Sequence, residues 1–391
     1  MCYTSEAATG TANVYNNTVS NNQRSGLGTQ SGSAYLYCLY ITGSGTTSIH
    51  DNNIFGNSCP GQTTYSAYIY SLYCSNSAVS QMVYNNSIHD QSVTSSYTSA
   101  AAIYGIYSYP GSGGVATNAL YNNTVYNLNI SNSTSGYGYV YCLYGYYMGN
   151  IYGNTVYNIS ATSATGYGYG YGIYFGGAGT FNVYKNRLYN VTMAGASGYF
   201  YGMYITGPTL ANVYNNYISD LKAPASTSTS ALHGIYISSA TTANFYYNTV
   251  YLNCTNTSAS TFQSDAIYVA TATSCELRNN IFINLSTSTG TAVFNAAYRR
   301  SSTTLTTYTG TSNNNDFYAG TPSATSLIMY DGTNSYQTLA TFKAAVSPRD
   351  ASSITELPPF VNVASTPYDL HIKTTIATQC ESGGTVVSAP N

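Results

Sequence analysis

The sequence predicts an all-β solenoid, a parallel β-helix of about nine to ten coils with a small C-terminal cap. Three observations predict it. A six-residue anchor, first met as Val14-Tyr15-Asn16-Asn17-Thr18-Val19, comes back eight times. The steps between copies are 35, 34, 37, 31, 32, 30, 32 and 32 residues, the mark of stacked repeats. Like residues also fall at like positions of successive repeats, as in-register pairing of coils requires, and no helical periodicity competes. A β-propeller would need longer blades of about 40–45 residues with Trp-Asp marks, and this chain has no Trp.

The anchor sets the first column. Its apolar positions stand five apart with Asn between them, so the chain is expected to bend at the Asn rather than run as one straight strand. One Asn is invariant: Asn17, Asn52, Asn86, Asn123, Asn154, Asn186, Asn216, Asn248 and Asn280. Stacked about 4.8 Å apart, these amides are expected to bond one another in an internal ladder. A second column lies four residues on, with Asn21, Asp90, Asn127, Asn158, Asn190, Asp220 and Asn284, and with Gly56 and Leu252 as exceptions. A third follows the first aliphatic of each anchor and runs Tyr15, His50, Tyr84, Tyr121, Tyr152, Tyr184, Tyr214, Tyr246, Arg278.

Each repeat carries a second apolar segment that ends in an aliphatic–Tyr pair. The Tyr of these pairs are Tyr40, Tyr73, Tyr107, Tyr144, Tyr174, Tyr204, Tyr236 and Tyr268. A small residue precedes each pair, for example Cys38, Gly105 and Gly234, and before it stand Tyr37, Tyr70, Tyr104, Tyr141, Tyr171, Tyr201, His233 and Asp265. Strict alternation with the aliphatics inward turns the Tyr40 column outward, as a candidate assembly face, and the Tyr37 column inward.

Ser/Thr-rich insertions, among them 129–137, 160–167, 223–230, 255–260 and 286–291, all fall at one point of the coil. With so little apolar surface they read as a row of solvated loops, with O-glycan sites as the alternative. Ser312 to Phe317 reads as a tenth, degraded anchor. Repeats therefore occupy residues 1–320, and 321–391 reads as a cap, with 339–346 as a short helix. Such a cap covers the core of the last coil. The first coil has no comparable cover, so trimming or another molecule is expected there.

Charged residues make up 6% of the chain and the net charge is −2, which leaves no basic patch for nucleic acid. No apolar run approaches the ~18 residues of a membrane span. The start lacks the basic and apolar regions of a signal peptide. Even so, the 8 Cys, the scarcity of charge and sequons at Asn16, Asn85, Asn122, Asn158, Asn190, Asn253 and Asn284 suggest a processed piece of an exported glycoprotein. Cys254 with Cys275, or Cys2 with Cys38, would suit a local disulfide. Buried free thiols are the other reading.

The repeated Asn-Asn-Thr-Val anchors resemble the right-handed parallel β-helix repeat of pectate-lyase-like secreted proteins. The run Asp331-Gly332-Thr333-Asn334-Ser335-Tyr336, followed by Asp350, Pro358-Pro359-Phe360 and Tyr368-Asp369-Leu370-His371, resembles the end segment of extracellular β-helix proteins of the Bacteroidetes type. The resemblance implies right-handed coiling and export, with sorting domains beyond Asn391. It implies little about activity, because this scaffold serves lyases, hydrolases, adhesins and passive fibres alike.

Chemistry is sparse. The acidic residues scatter over different coils and columns, so no pair suits glycoside hydrolysis. His50-Asp51 and His89-Asp90 occupy different columns. Lys185, Arg187, Asp220 and Lys222 form the best polar cluster, able to hold an anionic sugar or merely to pair on the surface. No cofactor or metal is expected. The sequence therefore points to a non-enzymatic extracellular structural protein that assembles with itself through coil ends and Tyr faces. A polysaccharide-binding or polysaccharide-degrading protein and a surface adhesin are the alternatives.

Overall fold

The computed structural model describes residues 2–6, 10–25, 33–62, 66–76, 80–96, 100–111, 116–132, 136–163 and 166–387, without the side chains of 2–6, 62, 76 and 292. Each coil contributes strands to three parallel sheets, giving a β-solenoid of about nine turns. Sheet I takes the Tyr-rich segments, such as Ala34–Gly43, Ala67–Asn76 and Ala100–Pro110. Sheet II takes the strand that enters each anchor, such as Thr46–His50 and Ser80–Tyr84. Sheet III leaves it, as in Ser87–Ser95 and Thr124–Asn132. Sheets I and II join through the continuous strand Leu232–Tyr246.

The register keeps the columns: Leu39 pairs with Leu72 and Tyr40 with Tyr73, and Ile49 pairs with Val83. Inside, Leu39, Ile49, Ile54, Leu72, Val83 and Ile88 are fully buried and continue as one unbroken core.

The bend lies one residue before the predicted position. Asn16, Asp51, Asn85, Asn122, Gly153, Lys185, Asn215, Tyr247, Asn279 and Asn314 all adopt left-handed backbone, with φ between 53° and 64°. This turns the following Asn into the core. The second column is a second left-handed corner through the first seven coils, where Asn21, Gly56, Asp90, Asn127, Asn158, Asn190 and Asp220 have φ of 52° to 65°, whereas Leu252 and Asn284 end strands instead. Gly56 is therefore no exception, since Gly, Asn and Asp are the residues that reach this conformation most cheaply.

Strict alternation fails in sheet I. Cys38 and Leu39 both point inward, and Tyr37 and Tyr40 both lie half-buried on the outside. The ladder skips the small residue between them, pairing Tyr37 with Tyr70 and then Leu39 with Leu72. Crowding explains why that residue is small. A β-carbon on Gly105 would stand 2.5 Å from Cys142 O, and one on Gly172 would stand 2.6 Å from a Leu188 methyl. The Tyr37 column thus joins the outer surface, against expectation.

The insertions at 223–230, 255–260 and 286–291 are ordered, which corrects the reading as loops. Thr255–Asn256 pairs in parallel with Thr287–Ser288. Thr227, Thr257 and Thr289 hydroxyls each donate to a carbonyl one coil back, on Ala196, Pro224 and Ser258. Polar bonds between coils order them where apolar surface could not. Insertion residues 133–135 and 164–165 lie outside the described residues.

Parallel pairing runs past residue 320, because Ser326–Tyr330 pairs with Ala292–Arg300. The helix Leu339–Val346 then covers the last coil with Phe342 and Val346 buried. The chain afterwards turns back along the solenoid. Its antiparallel hairpin, Phe360–Asn362 with Asp369–Ile372, packs Phe360, Tyr368 and Leu370 against Tyr251 and Ile283 of sheet III. Among the described residues no helix is long and apolar enough to cross a membrane.

Candidate functional site

Three constructions lie along or beside the solenoid. The first is the amide ladder. Nδ2 of each Asn donates to Oδ1 of the next through nine consecutive bonds of 2.8 to 3.0 Å, from Asn17 to Asn315. The backbone N–H of each rung donates to the same oxygen, as Asn123 N does to Asn154 Oδ1 at 3.0 Å. Nδ2 also donates to a carbonyl of the preceding coil, as Asn154 does to Leu120 O at 2.9 Å. The degraded anchor supplies the last rung. There Asn315 Nδ2 donates to Asp350 Oδ1 at 3.0 Å, and Tyr308 and Ser353 hydroxyls also donate to Asp350. Burial pushes the Asp350 carboxyl above its ordinary range.

The second is the set of aromatic columns. Rings Tyr40, Tyr73, Tyr107, Tyr144, Tyr174, Tyr204 and Tyr236 stack with centroids 4.6 to 5.3 Å apart. Tyr268 breaks the stack, meeting Tyr236 edge-on at 75°, and the Arg299 guanidinium covers it at 4.3 Å. The Tyr37 column stacks at 4.4 to 5.2 Å and ends on His233. Its rings meet the Tyr40 column edge to face, for example Tyr37 on Tyr40 at 85° and Tyr70 on Tyr73 at 88°. Two further stacks line the other sheets, Tyr15 through Tyr214 in sheet II and Phe55 through Tyr189 in sheet III.

Offset and edge-on ring contacts of this kind contribute about 0.5–1.5 kcal/mol each beyond area burial. Their chemical consequence is that ring faces are occupied by ring faces. Burial pushes the Tyr107 and Tyr141 phenols up to about 12. Where the Tyr37 column gives way to His233, a buried dyad forms: His233 Nδ1 lies 2.7 Å from Asp265 Oδ1, and both residues are fully buried. His50–Asp51 and His89–Asp90 are likewise paired, each at 2.7 Å, on separate columns.

The third is a cleft of about 510 Å³ between the corner row and the folded-back hairpin. Lys185, Arg187, Asn215, Tyr217 and Tyr247 line one side, and Tyr368, Asp369, Leu370 and His371 line the other. Arg187 Nη2 donates to Tyr368 O at 2.9 Å, and its guanidinium lies 4.7 Å from the Tyr189 ring centre. The His371 backbone N–H donates to Asp369 at 3.0 Å and its ring sits 2.5 Å away, and together they hold that carboxyl below its usual range. The predicted polar cluster is divided here: Lys185 and Arg187 face the cleft, whereas Asp220 is buried against Lys222 at 2.7 Å and accepts from Thr366 at 2.6 Å. The sequence signal for the far wall was the Tyr368–His371 run, which periodicity could not place.

Cys254 and Cys275 are free, buried thiols, as is Cys38. Cys254 follows the sheet III strand Thr249–Leu252, whereas Cys275 lies within the sheet II strand Ala272–Arg278, so each fills a different wall of the core. Sequon residue Asn284 is buried, donates to Ala296 O and is closed to a glycan, whereas Asn16, Asn85 and Asn122 are exposed corners. No protein-family model, curated protein or solved structure matches the chain.

Proposed function

We propose that the chain is a non-enzymatic structural rod of the cell exterior, exported in the manner its anchors and tail resemble, and that its Tyr surfaces pack side by side into a filament or layer. The observation that carries this reading is the outer face of sheet I. Two interlocked Tyr columns turn their rings onto one another and present edges and hydroxyls at a spacing near 4.8 Å. A second copy has the same spacing, so phenol rows can meet in register without burying charge.

The same geometry weakens the sugar-platform reading, because a pyranose needs the ring faces that neighbouring Tyr already cover. Coil-end stacking is narrowed too. The helix Leu339–Val346 and Asp350 close the C-terminal end, and lateral contact is what the surface favours.

Negative-stain microscopy and light scattering across a concentration series test the proposal. Laterally ordered bundles or sheets are expected, and Tyr73→Lys with Tyr144→Lys should disperse them by placing like charges in the contact. Monomers at every concentration would overturn it.

A further inference from the structure

The structure carries a worked example of how its corner row binds polypeptide. The end of the tail, from Gly383 to Val387, runs along the left-handed corners. Asn314 Nδ2 donates to Gly383 O at 2.8 Å. One coil on, Asn279 grips Thr385 from both sides: Thr385 N donates to its Oδ1 at 3.0 Å, and its Nδ2 donates to Thr385 O at 2.7 Å. One coil further, the Tyr247 hydroxyl donates to Thr385 O at 3.1 Å and accepts from Val387 N at 3.3 Å. The tail therefore advances two residues per coil, and its backbone is read by corner side chains whatever its sequence.

The next corners are Asn215 and Lys185, and both line the 510 Å³ cleft. The Asn215 carboxamide is the chemical equal of Asn279 and has no partner among the described residues. Most corners are Asn, Asp or Gly. Lys185 and Tyr247 are the departures, at φ of 53° and 56°. Left-handed backbone is costly for such side chains, and both flank Asn215 in the cleft. Local strain of this sort gathers at binding sites. Beside Lys185, Arg187 spends one hydrogen bond on Tyr368 O and keeps further donors for the cleft.

We infer that the cleft binds an extended peptide, its backbone gripped by Asn215 as Thr385 is by Asn279, with a carboxylate two residues further on held by Lys185 and Arg187. Tyr217 and Leu370 offer apolar walls to the side chains between. Asp369, paired with His371, sits on the far wall and disfavours a second acid there. The inference stands apart from lateral assembly, since neither the corner row nor the cleft belongs to the Tyr face.

The test uses the full chain and a fluorescein-labelled, C-terminally amidated pentapeptide, Gly-Gly-Thr-Val-Glu, read by anisotropy beside the same peptide with Gln in place of Glu. Saturable binding is expected, with the Glu peptide favoured about tenfold or more, in keeping with a charge-assisted bond. Asn215→Gly suits the left-handed corner, as Gly153 does, and should weaken both peptides about tenfold. Lys185→Gln should abolish the preference for Glu, and Asn85→Gly, at a remote corner, should change nothing. The inference is overturned by no binding, by equal affinity for the two peptides, by an unaffected Asn215→Gly, or by a uronic-acid oligomer displacing the peptide at lower concentration than unlabelled peptide does.

Discussion

Replacing Asn154 by Ala should open the solenoid locally, and the cost can be worked from its bonds. Asn154 Oδ1 accepts from Asn123 N and Asn123 Nδ2, both at 3.0 Å, and its Nδ2 donates to Leu120 O and Asn186 Oδ1, both at 2.9 Å. All four bonds are buried. The substitution strands the Asn123 amide and removes three further contacts, for about 4 kcal/mol in all, from about 1–3 kcal/mol for a stranded group and about 0.5–1.5 for each ordinary bond. Asn17, on the first rung, donates only to Tyr15 O and Asn52 Oδ1 through its side chain and borders solvent. Water can replace its partners, so Asn17→Ala should cost about 1 kcal/mol.

A solenoid opens in units, so hydrogen exchange by mass spectrometry is the suitable assay. Peptides spanning 118–126 should lose roughly three decades of protection in Asn154→Ala, since about 1.4 kcal/mol is tenfold. Asn154→Asp should be no better, because it keeps the acceptor and sets a carboxylate against two oxygens. If Asn154→Ala loses no more protection than Asn17→Ala does at its own coil, the ladder is not what holds the coils together.

Stacking rather than the hydroxyl should hold the Tyr columns. Tyr141→Phe should therefore stay within about 0.5 kcal/mol of the parent, while Tyr141→Ala should lose about 2–4 kcal/mol in urea titrations. Burial pushes the Asp316 carboxyl from 3.8 up to about 7. The folded chain then holds a proton that the unfolded chain gives up, so stability should fall as pH rises from about 4 to about 7 and level off above. Asp316→Asn should flatten that slope in Tm. Burial likewise pushes Cys254 to about 11 and Cys275 to about 12. Both thiols should resist a thiol reagent until the chain unfolds, and a reductant should leave the intact mass unchanged.

Periodicity carried most of this fold. Asn is the residue that both fits a ladder and repeats at a fixed step, so Asn17 through Asn280 were legible as rungs, and Tyr40 through Tyr268 as a surface column. Two things escaped. Tyr37 was assigned inward because alternation was extended through Cys38, where the strand in fact skips a pairing to seat two consecutive residues in the core. The cleft escaped because its far wall, Tyr368 to His371, meets Arg187 and Tyr217 across 181 and 154 residues of chain. No repeat relates those partners, and a contact made once leaves no period to read.

Along the ladder each carboxamide donates to the Oδ1 of the next coil, from the first toward the last, and the final one donates to Asp350. A file of parallel dipoles gives the particle an electrical head and foot, much as aligned peptide units do for an α-helix. Neighbours packed flank to flank, as proposed, would lower their energy by alternating orientation, up against down. A sheet built from such particles would have no net polarisation through its thickness and would offer both kinds of tip on each of its margins.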